Sequence, residues 1–227
     1  MKMSRWSLIL FVLIVSNVAT GYVVKKNAPP KVDPQRDMLN ALTRMSDIRT
    51  PFVVILGDSI TQNARLPDSI CGMPLINAGV GGSRASTFIP FAEEMEARNI
   101  SPFLVVLALG TNDTVLDYRT NFASAYKLLI DSLPHSPIAL ATLPPNDRSA
   151  PDAIRRNPSA LSSVDQAIRD MAATRKAPLI DLGKIVGLKT HDGIHPTAAT
   201  YPLWNKAIVD GIEGAMSCKG VTAEIER

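Results

Sequence analysis

The chain has 227 residues, of which 46% are hydrophobic and 20% charged, a balance typical of one globular domain with a sizeable core. Its formal net charge is +3, but six basic residues precede residue 37, and from there on the chain has 18 basic and 20 acidic residues, a net charge of −2. A domain so close to neutral excludes the strongly basic surface that nucleic-acid binding requires.

An apolar run of 19 residues extends from Trp6 to Val24 near the N-terminus. A helix of that length just spans a bilayer, and basic residues precede it as in a secretory signal. We therefore expect residues 1–24 to be a hydrophobic helix that acts as a retained membrane anchor or a cleaved signal peptide. Residues 25–36 are expected to form a Pro-containing tether, and residues 37–227 an exported, periplasmic or otherwise extracytoplasmic domain.

Five short apolar runs in this domain predict a parallel sheet. The runs do not alternate with polar residues, as expected for strands that are buried on both faces. They span residues 51–56, 74–77, 102–109, 137–143 and 177–182. Because helical patterns separate the runs, the sequence predicts a three-layer α/β/α domain around a five-stranded parallel sheet.

Glycine-rich and polar motifs follow four of these strands: GDSITQN, AGVGGSRAS, GTNDT and, after a short connection, HDGIHP. In open α/β sheets, ligands bind outside the carboxyl ends of the strands. The four motifs therefore indicate a single site at that edge of the sheet. His135, in the segment LPHSP before the fourth strand, is expected at the opposite edge.

A serine, a histidine and an aspartate in these motifs suggest nucleophilic catalysis. Ser59 opens a helix after the first strand, where a serine is either an N-cap or a nucleophile that needs a base. His195 is the candidate base, and Asp192, three residues earlier, could fix its tautomer. The alternative for Asp192 and His195 is a polar turn before the last helix. His191 has no acid three residues before it and is expected to be a surface or supporting residue.

Acyl transfer also needs hydrogen-bond donors aimed at the developing oxyanion, and three candidates follow the strands. They are the backbone N–H of Ser59, the backbone N–H of Gly82 and the side-chain amide of Asn112. Singly, each is explained as well by a turn or a cap. Together they favour catalysis, because all fall at the edge where ligands bind.

In this order, GDSI, NAGVGG, GTND and DGIHP resemble the four sequence blocks of the SGNH (GDSL-type) hydrolase superfamily. The resemblance covers nearly the whole domain and implies a flavodoxin-like α/β/α sandwich with serine-dependent esterase activity. It implies Ser59 as nucleophile, His195 as base and Asp192 as the acid that orients it. It also implies an oxyanion hole made by Ser59, Gly82 and Asn112.

Two positions depart from the common pattern of this superfamily: isoleucine follows Ser59 in place of leucine, and Thr200 stands where glycine is frequent. The implied enzyme is an ester hydrolase without cofactor or metal, acting on a small-molecule, glycan or lipid ester. An acyltransferase with the same three residues remains an alternative, because it differs only in the access of water to the acyl-enzyme. The sequence does not indicate an oligomeric state.

Two alternatives from other classes are disfavoured. A metal-dependent phosphoesterase would use hard or borderline ligands, here Asp58, Asp113, Asp192 and His195, but such sites usually contain more histidines. A non-catalytic glycan-binding protein would have no need for a nucleophile, a base and a set of oxyanion donors.

The chain contains two cysteines, Cys71 and Cys218, which are either unpaired thiols or a disulfide. In a flavodoxin-like sheet, both fall at the edge opposite the catalytic motifs, and the first and last helices cover the same face. We therefore predict a Cys71–Cys218 disulfide, which would persist in an oxidising compartment.

Overall fold

The computed structural model describes residues 34–115, 121–147, 149–150 and 157–218. The predicted N-terminal helix and most of the predicted tether therefore lie outside the described residues. Within them, no helix combines the length and the apolar character needed to cross a bilayer. The first described helix, α1 (Pro34–Asp47), begins three residues before the predicted start of the domain.

Among the described residues, six strands form one sheet. They are β1 (Val53–Gly57), β2 (Ser69–Ile70), β3 (Met73–Gly79), β4 (Leu104–Ala108), β5 (Ile138–Ala141) and β6 (Leu179–Ile180). The order is β2-β3-β1-β4-β5-β6, and the five strands other than β2 pair in parallel. Numbered in chain order without β2, the five parallel strands have the order 2-1-3-4-5 of the flavodoxin-like fold. The predicted fold class is therefore confirmed.

The five predicted strands are the five parallel ones, and β2 is an additional, antiparallel strand at the edge of the sheet that was not predicted. A two-residue turn joins β2 to β3, and both of its residues, Cys71 and Gly72, have positive φ angles of 52° and 75°. Such a pair of left-handed residues is the geometry of a tight hairpin turn. The hairpin carries no Asn-Gly or Asp-Gly signal and its first strand has two residues, which is why the sequence did not reveal it.

Helices cover both faces of the sheet. Besides α1, they are α2 (Ser59–Gln62), α3 (Ile89–Ala97), α4 (Phe122–Ser132), α5 (Pro158–Arg175) and α6 (Tyr201–Met216). One core joins a face of the sheet to α1, α3, α4 and α5, and a second core joins the other face to α2 and α6. Val53 to Leu56 of β1 are completely buried, since they lie between these two cores as the continuous apolar run predicted.

The two cysteines form the predicted disulfide, with their Cα atoms 6.0 Å apart. Cys71 lies in the hairpin turn before β3, and Cys218 follows the end of α6, whose C-cap residue Ser217 is left-handed with φ 57°. The bond therefore fastens the end of the last helix to the edge of the sheet. It lies beyond the amino ends of the parallel strands, which we call the amino edge; the opposite side, where those strands end, is the carboxyl edge.

Candidate active site

The nucleophile candidate sits directly after the central strand. Asp58 is the N-cap of α2, and its Oδ1 accepts a hydrogen bond from Ile60 N at 2.9 Å. The helix is thus capped by Asp58, and the alternative role of Ser59 as the cap is wrong. The hydroxyl of Ser59 is directed instead to His195, with Oγ 2.7 Å from Nε2.

Two glycines allow α2 to lie this close to the strand ends. A Cβ atom at Gly57 would come within 2.0 Å of Thr61 Oγ1, and one at Gly79 within 2.3 Å of Gln62 N. Both distances are far below van der Waals contact, so any other residue would push the helix away. The Asn77 side chain adds a second attachment, since its Nδ2 donates to Thr61 O at 2.8 Å.

His195 and Asp192 lie in the connection between β6 and α6. This connection is closed by a bridge between Thr190 and Pro196, and α6 begins after it at Tyr201. Asp192 Oδ2 lies 2.5 Å from His195 Nδ1, while Asp192 Oδ1 accepts from the backbone N–H of His195 at 2.7 Å. The carboxylate therefore holds both the ring and the backbone of the same residue.

The hydrogen bonds to Asp192 also determine its charge. Burial raises the pKa of this carboxyl, but the backbone and ring N–H groups of His195, together with the Ile194 N–H, outweigh that effect and lower the pKa to about 2. Asp192 is therefore ionised at neutral pH. An anion at this position favours the imidazole tautomer with its proton on Nδ1, which leaves Nε2 to accept the proton of Ser59.

His191 lies beside this pair at the surface. Its ring stacks on that of His195 with centroids 5.7 Å apart, and its Nε2 is 3.6 Å from Asp192 Oδ2. Its side chain is 63% exposed, consistent with the predicted surface position. His135 precedes β5 at the amino edge, as expected.

The loop after β3 brings its glycines to Ser59. A Cβ atom at Gly81 would lie 3.9 Å from Ser59 Cβ, and the Gly81 N–H already donates to Gln62 Oε1 at 2.9 Å. Gly82 has φ +76°, a left-handed conformation that favours glycine, and its N–H has no acceptor among the described residues. Of the two neighbouring glycines, Gly82 is the one with a backbone donor available to a ligand.

Asn112 lies in the 3-10 turn Thr111–Thr114 that follows β4. Its Nδ2 donates to Ser83 O at 3.0 Å, which orients the amide toward the glycine loop. The register of the sheet aligns the two segments, because Gly57 pairs with Gly79 on one side and with Ala108 on the other. The three strands that precede Ser59, Gly82 and Asn112 in the chain therefore end at the same level.

The four ligands considered for a metal site do not form one group. Among the described residues, the one group within metal-binding geometry consists of His191, Asp192 and His195. Asp58 is occupied as a helix cap, and Asp113 lies with the glycine loop, where its Oδ2 accepts from Ala85 N. The four-ligand arrangement considered for a phosphoesterase is therefore absent from the part of the chain that the structure describes.

Comparison with known proteins agrees with this architecture. The sequence model of the GDSL-like Lipase/Acylhydrolase family matches residues 55–203, well over half of the chain. The protein belongs to this family. It is accordingly a hydrolase of ester bonds with small-molecule ester substrates. No curated protein sequence matches the chain.

Solved structures with the same fold share little sequence with this chain. A lipase/acylhydrolase from Enterococcus faecalis is 22% identical, with a TM-score of 0.59 over 73% of this chain and 96% of that one. A carbohydrate acetylesterase from Sinorhizobium meliloti is 18% identical, with a TM-score of 0.58 over 73% of this chain and 99% of the other. The M. smegmatis aryl esterase is 17% identical, with a TM-score of 0.58 over 73% of this chain and 100% of the esterase chain. At these identities the comparison establishes the fold alone.

Several supporting residues of the site were given no role from the sequence alone. Gln62 holds the Gly81 N–H, Asn77 fastens α2 to β3, and Tyr201 donates from its hydroxyl to Ile60 O at 3.1 Å. Burial raises the pKa of Tyr201 to about 12, so the phenol keeps the proton it donates. Each of these contacts supports the helix that presents Ser59. The position of Asn77 at the end of an apolar run was the one available hint.

Proposed function

We propose that the protein hydrolyses carboxylic esters through an acyl-enzyme formed on Ser59. The observation that carries this proposal is the contact between Ser59 Oγ and His195 Nε2 at 2.7 Å, with Asp192 bound to the other ring nitrogen at 2.5 Å. A serine hydroxyl becomes a useful nucleophile when a positioned base accepts its proton, and this arrangement supplies that base.

In the first half of the reaction, Ser59 Oγ attacks the carbonyl carbon of the ester while His195 Nε2 takes the hydroxyl proton. The carbonyl oxygen becomes an oxyanion, which accepts hydrogen bonds from the N–H groups of Ser59 and Gly82 and from the Asn112 amide. The tetrahedral intermediate then collapses. His195 gives its proton to the leaving alcohol, and the acyl group remains bonded to Ser59.

In the second half, water takes the place of the alcohol. His195 removes a proton from the water as the resulting hydroxide attacks the acyl carbon. The second tetrahedral intermediate releases the carboxylic acid, and the proton returns to Ser59 Oγ. Throughout, the anionic Asp192 stabilises the imidazolium that forms on His195.

A fluorophosphonate probe tests the nucleophile directly. We expect one adduct, located on Ser59 by peptide mass spectrometry and abolished by Ser59→Ala or His195→Ala. Ser159→Ala is the matched control, because Ser159 also lies in the first turn of a helix but its hydroxyl donates to Asn157 Oδ1 at 2.7 Å. An adduct on another residue, or wild-type turnover by Ser59→Ala, would contradict the mechanism.

The substrate is proposed to be an ester on an envelope glycan or lipid, because we also propose that the domain acts outside the cytoplasm. Two observations support export: the apolar run from Trp6 to Val24, and the disulfide, a bond that persists mainly in oxidising compartments. Alkaline phosphatase fused after residue 36 should be active in cells if this is correct. An inactive fusion, with the protein reduced in vivo, would contradict it.

A panel of acetyl, butyryl and long-chain nitrophenyl esters would define the acyl group that the enzyme accepts. Including a sugar or glycerol acceptor in the same assay separates hydrolysis from transfer. We expect free carboxylic acid as the main product. If acylated acceptor predominates at millimolar concentrations, the enzyme is an acyltransferase using the same three residues.

A further inference from the structure

The two segments that carry the oxyanion donors are joined by hydrogen bonds in both directions. Asn112 Nδ2 donates to Ser83 O at 3.0 Å, and Arg84 Nε donates back to Asn112 O at 3.1 Å. A third bond runs from Ala85 N to Asp113 Oδ2 at 3.3 Å. Since Ser83, Arg84 and Ala85 directly follow Gly82, these bonds fix the glycine loop against the turn that carries Asn112.

Asp113 is a buried acidic residue, since only 6% of its surface is exposed. One of its oxygens accepts the Ala85 N–H, and the other has no hydrogen-bond partner among the described residues. The charged groups that face it are Arg84, which favours the carboxylate, and Asp58, which opposes it. Burying a carboxylate with so few partners is costly, and an uncharged residue would fill the space at a lower cost.

We propose that Asp113 and Arg84 are positioning residues that hold the Gly82 and Asn112 donors at the separation needed to bind one oxyanion. This inference rests on the proposed function, since it deepens the role of the same site. Neither residue is assigned a contact with the ester. Asp113 acts on the backbone of the glycine loop, and Arg84 acts on the backbone of Asn112 itself.

The geometry gives a reason why two backbone attachments are needed. The glycine loop follows β3 and the Asn112 turn follows β4, and β1 lies between these strands. The two donors are thus carried by segments that are not neighbours in the sheet, so no ladder hydrogen bond sets their distance. The bond that Ser83 O accepts and the bonds that Arg84 and Ala85 donate supply that constraint across the end of β1.

The kinetic test uses Asp113→Ala and Arg84→Met in the full chain, with a nitrophenyl ester as substrate. We expect kcat to fall by about 10²-fold in Asp113→Ala, the cost of misplacing a catalytic group by roughly 1 Å, with KM nearly unchanged. Arg84→Met, at a half-buried position, should lower kcat in the same way. Asp113→Asn should recover part of the loss, because its amide oxygen can still accept the Ala85 N–H.

The matched control is Asp165→Ala. Asp165 also accepts a backbone N–H at 3.3 Å, from Leu143, and also has an arginine near it, here in a direct ion pair with Arg169 at 2.8 Å. It lies on α5, and its hydrogen bonds in the described structure go to Leu143 and Arg169, not to the glycine loop or the Asn112 turn, so its loss should lower stability without changing kcat. A similar fall of kcat in this variant would mean that general destabilisation explains the Asp113 effect.

A double-mutant cycle with Asn112→Ala separates positioning from a merely structural role. If Asp113 acts through the oxyanion donors, most of its effect on kcat should vanish once Asn112 is removed. The proposal would be overturned if Asp113→Ala lowered kcat by the same factor with and without Asn112. It would also be overturned if kcat were unchanged in folded Asp113→Ala, or if only KM changed.

Amide hydrogen exchange provides a readout that does not depend on activity. In Asp113→Ala and Arg84→Met, exchange in residues 81–85 should become faster, while Asp165→Ala should leave it at the wild-type rate. Unchanged protection in both variants would overturn the proposal. If wild-type protein hydrolysed no ester at all, the proposed function would fail by itself, and exchange would still decide whether Asp113 and Arg84 hold the loop.

Discussion

The connection from residue 190 to 196 and the turn from residue 110 to 114 each place an aspartate at the carboxyl edge, but the two carboxyls differ in charge behaviour. For Asp192, burial raises the pKa, yet N–H donors from its own connection lower it overall to about 2. For Asp113, burial dominates and raises the pKa to about 6, although the Ala85 N–H and Arg84 lower it in part.

The difference shows that the supply of donors, and not burial alone, decides how an aspartate titrates in this site. Asp192 lies in a loop that folds back on it, so that one oxygen receives two backbone N–H groups and the other receives the His195 ring. Asp113 receives one long bond from a separate segment. The first arrangement suits a permanent anion beside an imidazolium, and the second suits a residue whose role is to hold another loop.

The largest effect is expected from Asp192→Asn, which keeps the shape of the side chain at position 192 and removes its negative charge. An amide favours the wrong tautomer of His195, and we expect kcat to fall by about 10⁴-fold, as in other serine enzymes with this change. Steady-state kinetics with a nitrophenyl ester would measure it. A fall of less than about 10-fold would mean that the charge of Asp192 has little influence on the base.

Removing the disulfide tests whether catalysis depends only on the residues at the carboxyl edge. In the chain-entropy model, Cys71→Ser with Cys218→Ser should lower the free energy of unfolding by about 5 kcal/mol, less any strain in the native state. Because the bond lies at the amino edge, kcat of the folded protein should stay at the wild-type value. Denaturant unfolding and kinetics on the same sample would check both, and a large change in kcat would show that the two edges are coupled.

Asn112→Ala tests directly whether the side-chain amide of Asn112 binds the oxyanion. Loss of one donor to the oxyanion should lower kcat by about 10²–10³-fold and affect KM much less. A rise in KM with kcat unchanged would instead assign Asn112 to substrate binding.

The smallest effects concern the pH dependence of the free energy of unfolding, to which the two aspartates should contribute with opposite slopes. Asp192 stabilises the fold above pH 3.8, and this contribution, about 2 kcal/mol, is lost as the pH falls toward 2. Asp113 binds its proton more tightly in the folded state. Its contribution, about 3 kcal/mol, therefore favours folding at low pH and is lost as the pH rises through about 6.

Urea unfolding of wild type and Asp113→Asn between pH 4 and pH 7 would reveal this slope. The stability of the variant relative to wild type should increase with pH across this range, since only wild type loses the contribution of a bound proton. Asp192→Asn should show the opposite trend at lower pH. Parallel pH profiles for the two variants would contradict the difference between the two regions.

The features that the sequence predicted are those set by local pattern and by topology. Continuous apolar runs gave the five parallel strands, and the rule that ligands bind at strand ends placed Ser59 near His195 although they are 136 residues apart. The same topological argument paired Cys71 with Cys218. These inferences need only the order of the strands, which came from the flavodoxin-like fold that the resemblance to the SGNH superfamily implies.

The features that escaped prediction depend on where individual side chains meet across the fold. The cap of α2 went to Asp58 and not to Ser59, because both residue types are good caps and only the backbone geometry decides between them. The bond from Gly81 to Gln62 and the bond from Arg84 to Asn112 join segments whose separation is set by the packing of α2 and the loops. No pattern of hydrophobicity encodes such contacts.

The disulfide also has a consequence for the biosynthesis of the protein. Its partners are separated by 147 residues, so Cys71 leaves the ribosome about 7–30 s before Cys218 at common rates of synthesis. During this interval its thiol has no intramolecular partner, because the chain contains no third cysteine. Errors can therefore arise only between molecules, as mixed disulfides or cross-linked dimers. Maturation accordingly needs an oxidant that acts late, and it has no need for an isomerase that exchanges one internal pairing for another.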